Sequence, residues 1–181
     1  MPRMEAGRVR EIFEFGTPLE EGRSLEETVL RAEGKTALMF LRYYGCTLCQ
    51  YDIHRLAASY SRIRETGGQV LVVLQSDREG LKKQLKADSL PFELICDPEQ
   101  RLYERFQICP AASKEEMMGA NTMAKIELAR AGGFEHGAYE GNELQLPAVF
   151  IMDQERKLTY AHYGISVDDV PDPGEFRELL K

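Results

Sequence analysis

The stretch ALMFLRYYGCTLCQYDI, Ala37 to Ile53, decides how this chain is read. An apolar run ends in an aromatic pair, a glycine and two cysteines in C-x-x-C spacing, and a helical pattern follows. Apolar or small residues fall at 49, 53, 56, 60 and 63, in steps of four, three, four and three. That is one buried stripe of a helix, which Gly67-Gly68 stops. Upstream, TALMFLRYY reads as a buried strand. Cys46 and Cys49 therefore stand where a strand hands over to a helix. They could be a redox couple, half of a metal site, or two small core residues.

Working outward, the spacing predicts a short helix in SLEETVLRAEG, with Ser24 as N-cap, Glu27 three residues on and Gly34 as its stop. EIFEFGTPL before it alternates only weakly. Downstream, QVLVVLQSD is a strand whose near-continuous Val/Leu run suits a sheet covered on both faces. Ser76 and Glu79 make a capping-box spacing for a helix that carries Leu81 and Leu85. FELIC is a third strand, and Asp97-Pro98-Glu99-Gln100 supplies an N-cap, a proline at N1 and a glutamine at N3 for the next helix. AVFIM, a DQERK turn and LTYAHYG form a closing hairpin, and Asp172-Pro173-Gly174-Glu175 caps a last helix. Strands alternating with helices demand right-handed crossovers and a mainly parallel sheet, with antiparallel strands added at the end.

The 181 residues, 43% apolar, fit one well-buried core, so a single domain spanning 1–181 is expected. The formal charge of −7, with both signs interspersed, argues against a nucleic-acid or anionic-membrane surface. No apolar run approaches the roughly 18 residues of a spanning helix. The N-terminal MPRMEAGRVREIFEF has no apolar core of a secretory signal, so a cytoplasmic location is expected. There the four cysteines (46, 49, 96 and 109) are reduced unless they turn over.

A helix N-terminus offers unpaired N–H groups and the positive end of the macrodipole, which favour a thiolate. Cys46, ahead of the first turn, is the expected exposed nucleophile, and Cys49, at the head of the buried stripe, the sheltered partner that closes a disulfide. A zinc site would need two further ligands. Cys96 and Cys109 do not form a second C-x-x-C, and His54, His136 and His162 lack the H-x₃₋₅-H spacing. The strand–helix context favours the redox couple. Cys96 reads as a small buried residue, while Cys109 could serve as an accessory or resolving thiol. His54 and His162 read as partly exposed residues rather than catalytic bases.

Three blocks, in order, carry a resemblance: FLRYYGCTLCQ (40–50), LICDPEQRLYERFQI (94–108) and LQLPAVFIMDQERKL (144–158). Together they resemble the AhpC/TSA (alkyl hydroperoxide reductase/thiol-specific antioxidant), peroxiredoxin-like branch of the thioredoxin superfamily, over roughly residues 35–181 apart from 109–146. The resemblance implies an α/β thioredoxin-like fold, a mixed central sheet flanked by helices, with residues 1–34 as an N-terminal extension. It also implies that Pro147 is a cis-proline beside the cysteines, shaping a groove for substrate. The chain departs from both branches of the superfamily. Three positions before Cys49 stands Cys46, and three before Cys46 stands Tyr43, where peroxiredoxins carry threonine. Three before Phe150 stands Pro147, where they carry arginine. Gly45 precedes the first cysteine where thioredoxins have tryptophan, Thr47-Leu48 replace their Gly-Pro, and Phe40 takes the place of their buried acid. Arg42 and Tyr44, expected on the strand face of Phe40, are candidate substrate-binding residues able to tune the thiolate. Their alternative is an edge arginine and a packed tyrosine.

Residues 109–146 form an insertion before the proline strand. Met117, Met118, Met123, Ile126 and Ala129 mark a helix interrupted at Gly119 and stopped at Gly132-Gly133. It is either a Met-lined lid over the active site or a helix covering a sheet edge or a homodimer contact. The expected function is thiol–disulfide exchange through Cys46 and Cys49, needing no metal, flavin or nucleotide. Its partners are a disulfide-bearing protein or a small thiol or peroxide, together with a thiol reductant. The alternatives are a thiol peroxidase and a non-enzymatic redox-sensing or partner-binding module.

Overall fold

The structure is a computed structural model that describes residues 13–85 and 90–181. The first twelve residues, part of the stretch read as lacking a signal sequence, lie outside the described residues. The chain opens with β1 (Glu14–Phe15), β2 (Arg23–Ser24) and α1 (Leu25–Leu30), followed by β3 (Thr36–Phe40). Next come α2 (Thr47–Ala58), α3 (Tyr60–Arg64), β4 (Gln69–Leu74), α4 (Arg78–Leu85), β5 (Glu93–Cys96) and α5 (Arg101–Arg105). The insertion holds α6 (Lys114–Met117) and α7 (Thr122–Ala131), and β6 (Ala148–Met152), β7 (Leu158–Tyr163) and α8 (Pro173–Leu179) end the chain.

The main sheet has the order β5-β4-β3-β6-β7. β3, β4 and β5 run parallel, while β6 pairs antiparallel with β3, and β7 with β6. The crossover helices and the closing hairpin are those the sequence pattern requires. β1 and β2 form a small ribbon, and Gly16 bridges antiparallel to Cys96, so the N-terminal segment covers the β5 edge.

Side chains alternate strictly between two cores. Ala37 and Met39 of β3, Val70 and Val72 of β4, and Val149 and Ile151 of β6 join one. Leu38 and Phe40, Leu71 and Val73, and Phe150 with its neighbours Ala148 and Met152 join the other. Period two with both faces covered is the physical cause of the unbroken apolar runs. Phe40 is fully buried and meets Phe150 edge-on at 5.8 Å and Tyr103 at 5.2 Å. Such a burial contributes about 1.5–3 kcal/mol.

The helical stripe is as read: Cys49, Ile53, Leu56, Tyr60 and Ile63 are all buried. Ser59 interrupts it, so α2 and α3 are separate helices, and Gly67 ends the run at φ +78°. Asp172 and Glu175 form a complete capping box at α8. Two other caps differ from expectation. Asp77, not Ser76, caps α4 by accepting the Gly80 N–H at 2.7 Å, because the buried Ser76 hydroxyl accepts the Tyr44 N–H instead. α5 starts at Arg101 rather than Pro98: residues 98–99 make a turn and Gln100 takes a positive φ. The Asp97 carboxylate still accepts the Arg101 and Leu102 N–H groups across that turn.

Candidate active site

β3 ends at Phe40, and residues 41–46 leave the pleat to form a tight connection into α2. The Arg42 carbonyl accepts the Gln75 N–H at 3.0 Å, and the Tyr43 carbonyl accepts the Cys46 N–H at 3.2 Å. This bend folds the Arg42 side chain back onto the start of α2, where its Nη2 lies 3.1 Å from Cys46 Sγ. Nη1 donates to the Glu143 carbonyl at 2.8 Å and lies 3.5 Å from the Glu143 carboxylate. Phe40 belongs to the opposite core, so the expected shared face of residues 40, 42 and 44 does not exist; the strand ends before the alternation reaches them.

Cys46 is the N-cap of α2, with extended backbone (φ −64°, ψ 126°), and its Sγ accepts the Cys49 N–H at 3.4 Å. Both cysteines are free thiols. The Cys49 thiol donating to it, together with Arg42 and the helix N–H, lowers the Cys46 pKa to about 5 against the opposing effect of burial. Burial, and then the neighbouring Cys46 sulfur, push the Cys49 thiol well above the ordinary range. Burial works against the charge of Arg42, but the two cysteine sulfurs hold it protonated. The pair is thus asymmetric, with one ready thiolate and one proton-bearing partner.

Cys46 is not exposed, contrary to expectation: its relative exposure is 1%. The cause is a strap, residues 134–143, from the far end of the insertion. Gly137 N–H donates to the Gly45 carbonyl at 2.7 Å, and Gln50 Nε2 donates to the Glu135 and Gly45 carbonyls. The Tyr43 hydroxyl is hydrogen-bonded to His136 Nε2 at 3.0 Å, and the His136 ring stacks on Tyr139 with centroids 4.1 Å apart. A Cβ on Gly45 would stand 2.7 Å from the Ala138 nitrogen, so only glycine admits the strap this close. Gln75, 1% exposed, sutures the other end: its amide donates to the Arg42 and Asn142 carbonyls, and its Oε1 accepts from Asn142 N and from Gln100.

A cavity of about 310 Å³ opens beside Cys46, with Arg42 and Glu143 in its wall. Met117, Met118 and Ile126 of the insertion also line it, which favours the lid reading over the edge-covering one, although Met123 points to solvent at 51% exposure. A larger apolar cavity, about 400 Å³ between residues 17–23 and β5, contains no cysteine.

α7 is fastened to α2 by Lys125, whose Nζ lies 2.7 Å from Asp52 Oδ1, and Thr122 is hydrogen-bonded to Asp168. Burial raises the Asp52 pKa from 3.8 to about 6 despite Lys125. A carboxyl raised in the folded state stabilises most when protonated. Its contribution is complete below 3.8 and lost as pH rises through about 6. Asp52→Asn is therefore expected to flatten the decline of stability between pH 4 and 7 by up to about 3 kcal/mol. Urea unfolding of both proteins at the two pH values measures this, and parallel slopes would contradict it.

The remaining expected site residues are placed differently. The Tyr44 hydroxyl is hydrogen-bonded to His54 Nε2 at 3.1 Å, so the packed-tyrosine alternative describes it. Among the described residues there is no cis peptide bond: Leu146–Pro147 is trans, and Pro147 is buried against Gly164, whose N–H donates to the Pro147 carbonyl. An extended approach, held by the Pro110–Gln145 bridge, brings the chain straight into β6. A proline entering a strand is at home in that conformation. Cys96 is half-buried at the end of β5, its thiol pushed up to about 12, chiefly by burial; Cys109 is half-buried beside that same Pro110 bridge. His162 Nε2 lies 3.0 Å from Asp169. The sequence reading missed His136, Glu143, Asp52, Lys125 and Gln75. Of these only Asp52 carried a signal, as a carboxylate at a buried helical position three residues after Cys49.

Among the described residues, no group of three or more His, Cys, Asp or Glu could hold a metal ion, and no helix is long and apolar enough to cross a membrane. The sheet order, the helices on both faces and a C-x-x-C at the start of α2 define a thioredoxin-like fold. The chain belongs to the AhpC/TSA family, which matches it over residues 10–161 and so takes in most of the N-terminal extension. Thiol-based redox chemistry is the class of activity this membership gives it. No individually curated protein matches. Among solved structures the fold is similar to the peroxidoxin BcpB from Mycobacterium tuberculosis (TM-score 0.61, 14% identity, covering 92% of this chain and 90% of that one). It is also similar to a peroxiredoxin-like protein from Aquifex aeolicus (0.62, 13%, 99% and 90%) and to StoA from Bacillus subtilis (0.57, 14%, 95% and 98%).

Proposed function

We propose that this protein is a thiol–disulfide oxidoreductase in which Cys46 is the nucleophile and Cys49 the resolving thiol. The observation that carries the reading is the asymmetry of the pair: Cys46 Sγ receives Arg42 Nη2 and the Cys49 N–H, while Cys49, equally buried, keeps its proton. The Cys46 thiolate attacks one sulfur of a substrate disulfide, forming a mixed disulfide and releasing one substrate thiolate. Cys49 then loses its proton and attacks Cys46 Sγ, releasing the second substrate thiol and leaving a Cys46–Cys49 disulfide. Two electrons pass from protein to substrate, and the two cysteine protons pass to the released thiols. A thiol reductant of a reducing compartment such as the cytoplasm restores the dithiol.

Arg42 also favours a second reading, a thiol peroxidase, because it supplies beside Cys46 the guanidinium that the late strand lacks. Hydrogen peroxide would then oxidise Cys46 to a sulfenic acid, releasing water, and Cys49 would condense with it to the disulfide, releasing a second water. Counting thiols of the reduced protein against time separates the two. Loss of two thiols to a small disulfide at least about tenfold faster than to hydrogen peroxide is expected. The reverse order would establish the peroxidase, and inertness toward both would overturn the enzyme readings.

A further inference from the structure

We propose that the substrate of this site is a small organic disulfide with an apolar body and an anionic group, entering the cavity beside Cys46, rather than the disulfide of a folded protein. This rests on the thiol–disulfide reading above, and it follows from access, lining and charge.

Access sets the size. Cys46 is 1% exposed beneath the strap and is reached through a cavity of about 310 Å³, at the small end of the range for small-molecule pockets. A folded protein partner needs about 800 Å² of contact on each side, with its disulfide laid against the nucleophile. Here the strap and α7 stand in the way of such an approach. One arm of a small disulfide can pass where a protein surface cannot.

Lining sets the body. Leu48, Met117, Met118, Ile126 and Val167 form apolar walls, and the two methionines can adjust to an irregular ligand. Charge sets the head group. Arg42 is committed to Cys46 and Glu143, and Glu143, the one acidic side chain of the lining, is committed in return to Arg42. Lys114 and Arg130 line the same cavity from exposed positions, and neither makes an ion pair among the described residues. Uncompensated positive charge at this mouth, on a chain of net charge −7, is local complementarity to an anion.

The exchange balances as written above: the Cys46 thiolate takes one arm of the disulfide and expels the other as a thiolate. Cys49 then expels the first arm, so one disulfide is reduced to two thiols for each protein dithiol oxidised. No further oxidant is needed.

The test uses the full reduced chain and two aromatic disulfides, the dianionic 5,5′-dithiobis(2-nitrobenzoate) and the uncharged 4,4′-dithiodipyridine. Stopped-flow gives a rate constant for each with wild type and with the double variant Lys114→Glu/Arg130→Glu. Taking the ratio of the two reagents within each protein, then comparing proteins, cancels their intrinsic reactivity. The anionic-to-neutral ratio is expected to fall about tenfold in the variant, and the difference to shrink at high salt. Insulin, as a protein disulfide, is expected to react at least about 10²-fold more slowly than the anionic reagent once both are scaled to their rates with free dithiothreitol. An unchanged ratio, or insulin reduced as readily as the small anion, would overturn the proposal while leaving the disulfide chemistry standing. If neither aromatic reagent oxidises the pair, the disulfide reading itself fails. Matching circular dichroism and equal thiol counts under denaturant establish that the variant is folded and reduced.

Discussion

Cys46→Ser is expected to slow oxidation of the protein by a small disulfide at least about 10³-fold at pH 7, because a serine hydroxyl supplies no comparable nucleophile at that pH. Cys49→Ser should behave differently. Its first step survives, but the intermediate has no resolving thiol, so the mixed disulfide with Cys46 accumulates and intact mass shows one substrate arm per chain. The Cys49 thiol is also the largest single influence lowering the Cys46 pKa. Cys49→Ala, which removes that donor where serine keeps one, should therefore lose rate chiefly at low pH, where the wild-type thiolate persists and the variant's does not. Release of two substrate thiols by Cys49→Ser would contradict the assignment of Cys49 as resolver. Full activity in Cys46→Ser would remove Cys46 as the nucleophile.

The second large effect concerns Arg42. Arg42→Met keeps much of the side chain's length and apolar stem but removes the cation 3.1 Å from Cys46 Sγ. A cation favours the thiolate, so its loss moves the Cys46 pKa upward from about 5. For a neighbour this close the rise is expected to be about 2 units. At pH 5 the thiolate fraction then falls from about one half to about one in a hundred. The rate changes less than the population, because a more basic thiolate is a better nucleophile by roughly half a logarithmic unit per pKa unit. Near pH 6 the two effects almost cancel, and above pH 8 the variant can react faster than wild type. The informative quantity is therefore the midpoint of the pH–rate profile, checked by the ultraviolet absorbance of the thiolate. Arg42→Lys restores charge without the two-pronged contact to Cys46 and Glu143 and should fall between. An unmoved midpoint in Arg42→Met would leave the helix terminus and Cys49 as the whole cause.

Much of this was legible in the sequence because it is local. The period-two cores of β3, β4 and β6, the stripe from Cys49 to Ile63 and the Asp172 capping box are written in residues a few positions apart. The position of Cys46 at the N-cap of α2 follows from the same local pattern. The rest depends on contacts across long stretches of chain. That Arg42 rather than Tyr44 reaches the sulfur depends on β3 ending at Phe40 and on a bend tied to Gln75. The burial of Cys46 depends on His136, Gly137 and Ala138, whose identities are unremarkable until the strap is seen against Gly45. Pro147 shows the limit of reading by resemblance. The motif position is filled, yet the backbone there is trans and buried.

The strap also has a meaning for the order in which the protein is made. Gly45 and Gly137 meet backbone to backbone, yet the ribosome produces them far apart in time. The strand, the reactive cysteine and the first turn of its helix can form while the segment that will cover them is still untranslated. During that interval the segment that covers Cys46 in the folded chain is absent, and the thiol lies open to solvent. Burial of Cys46 is thus a late event in the life of each chain, acquired when the last third of the sequence docks onto the first.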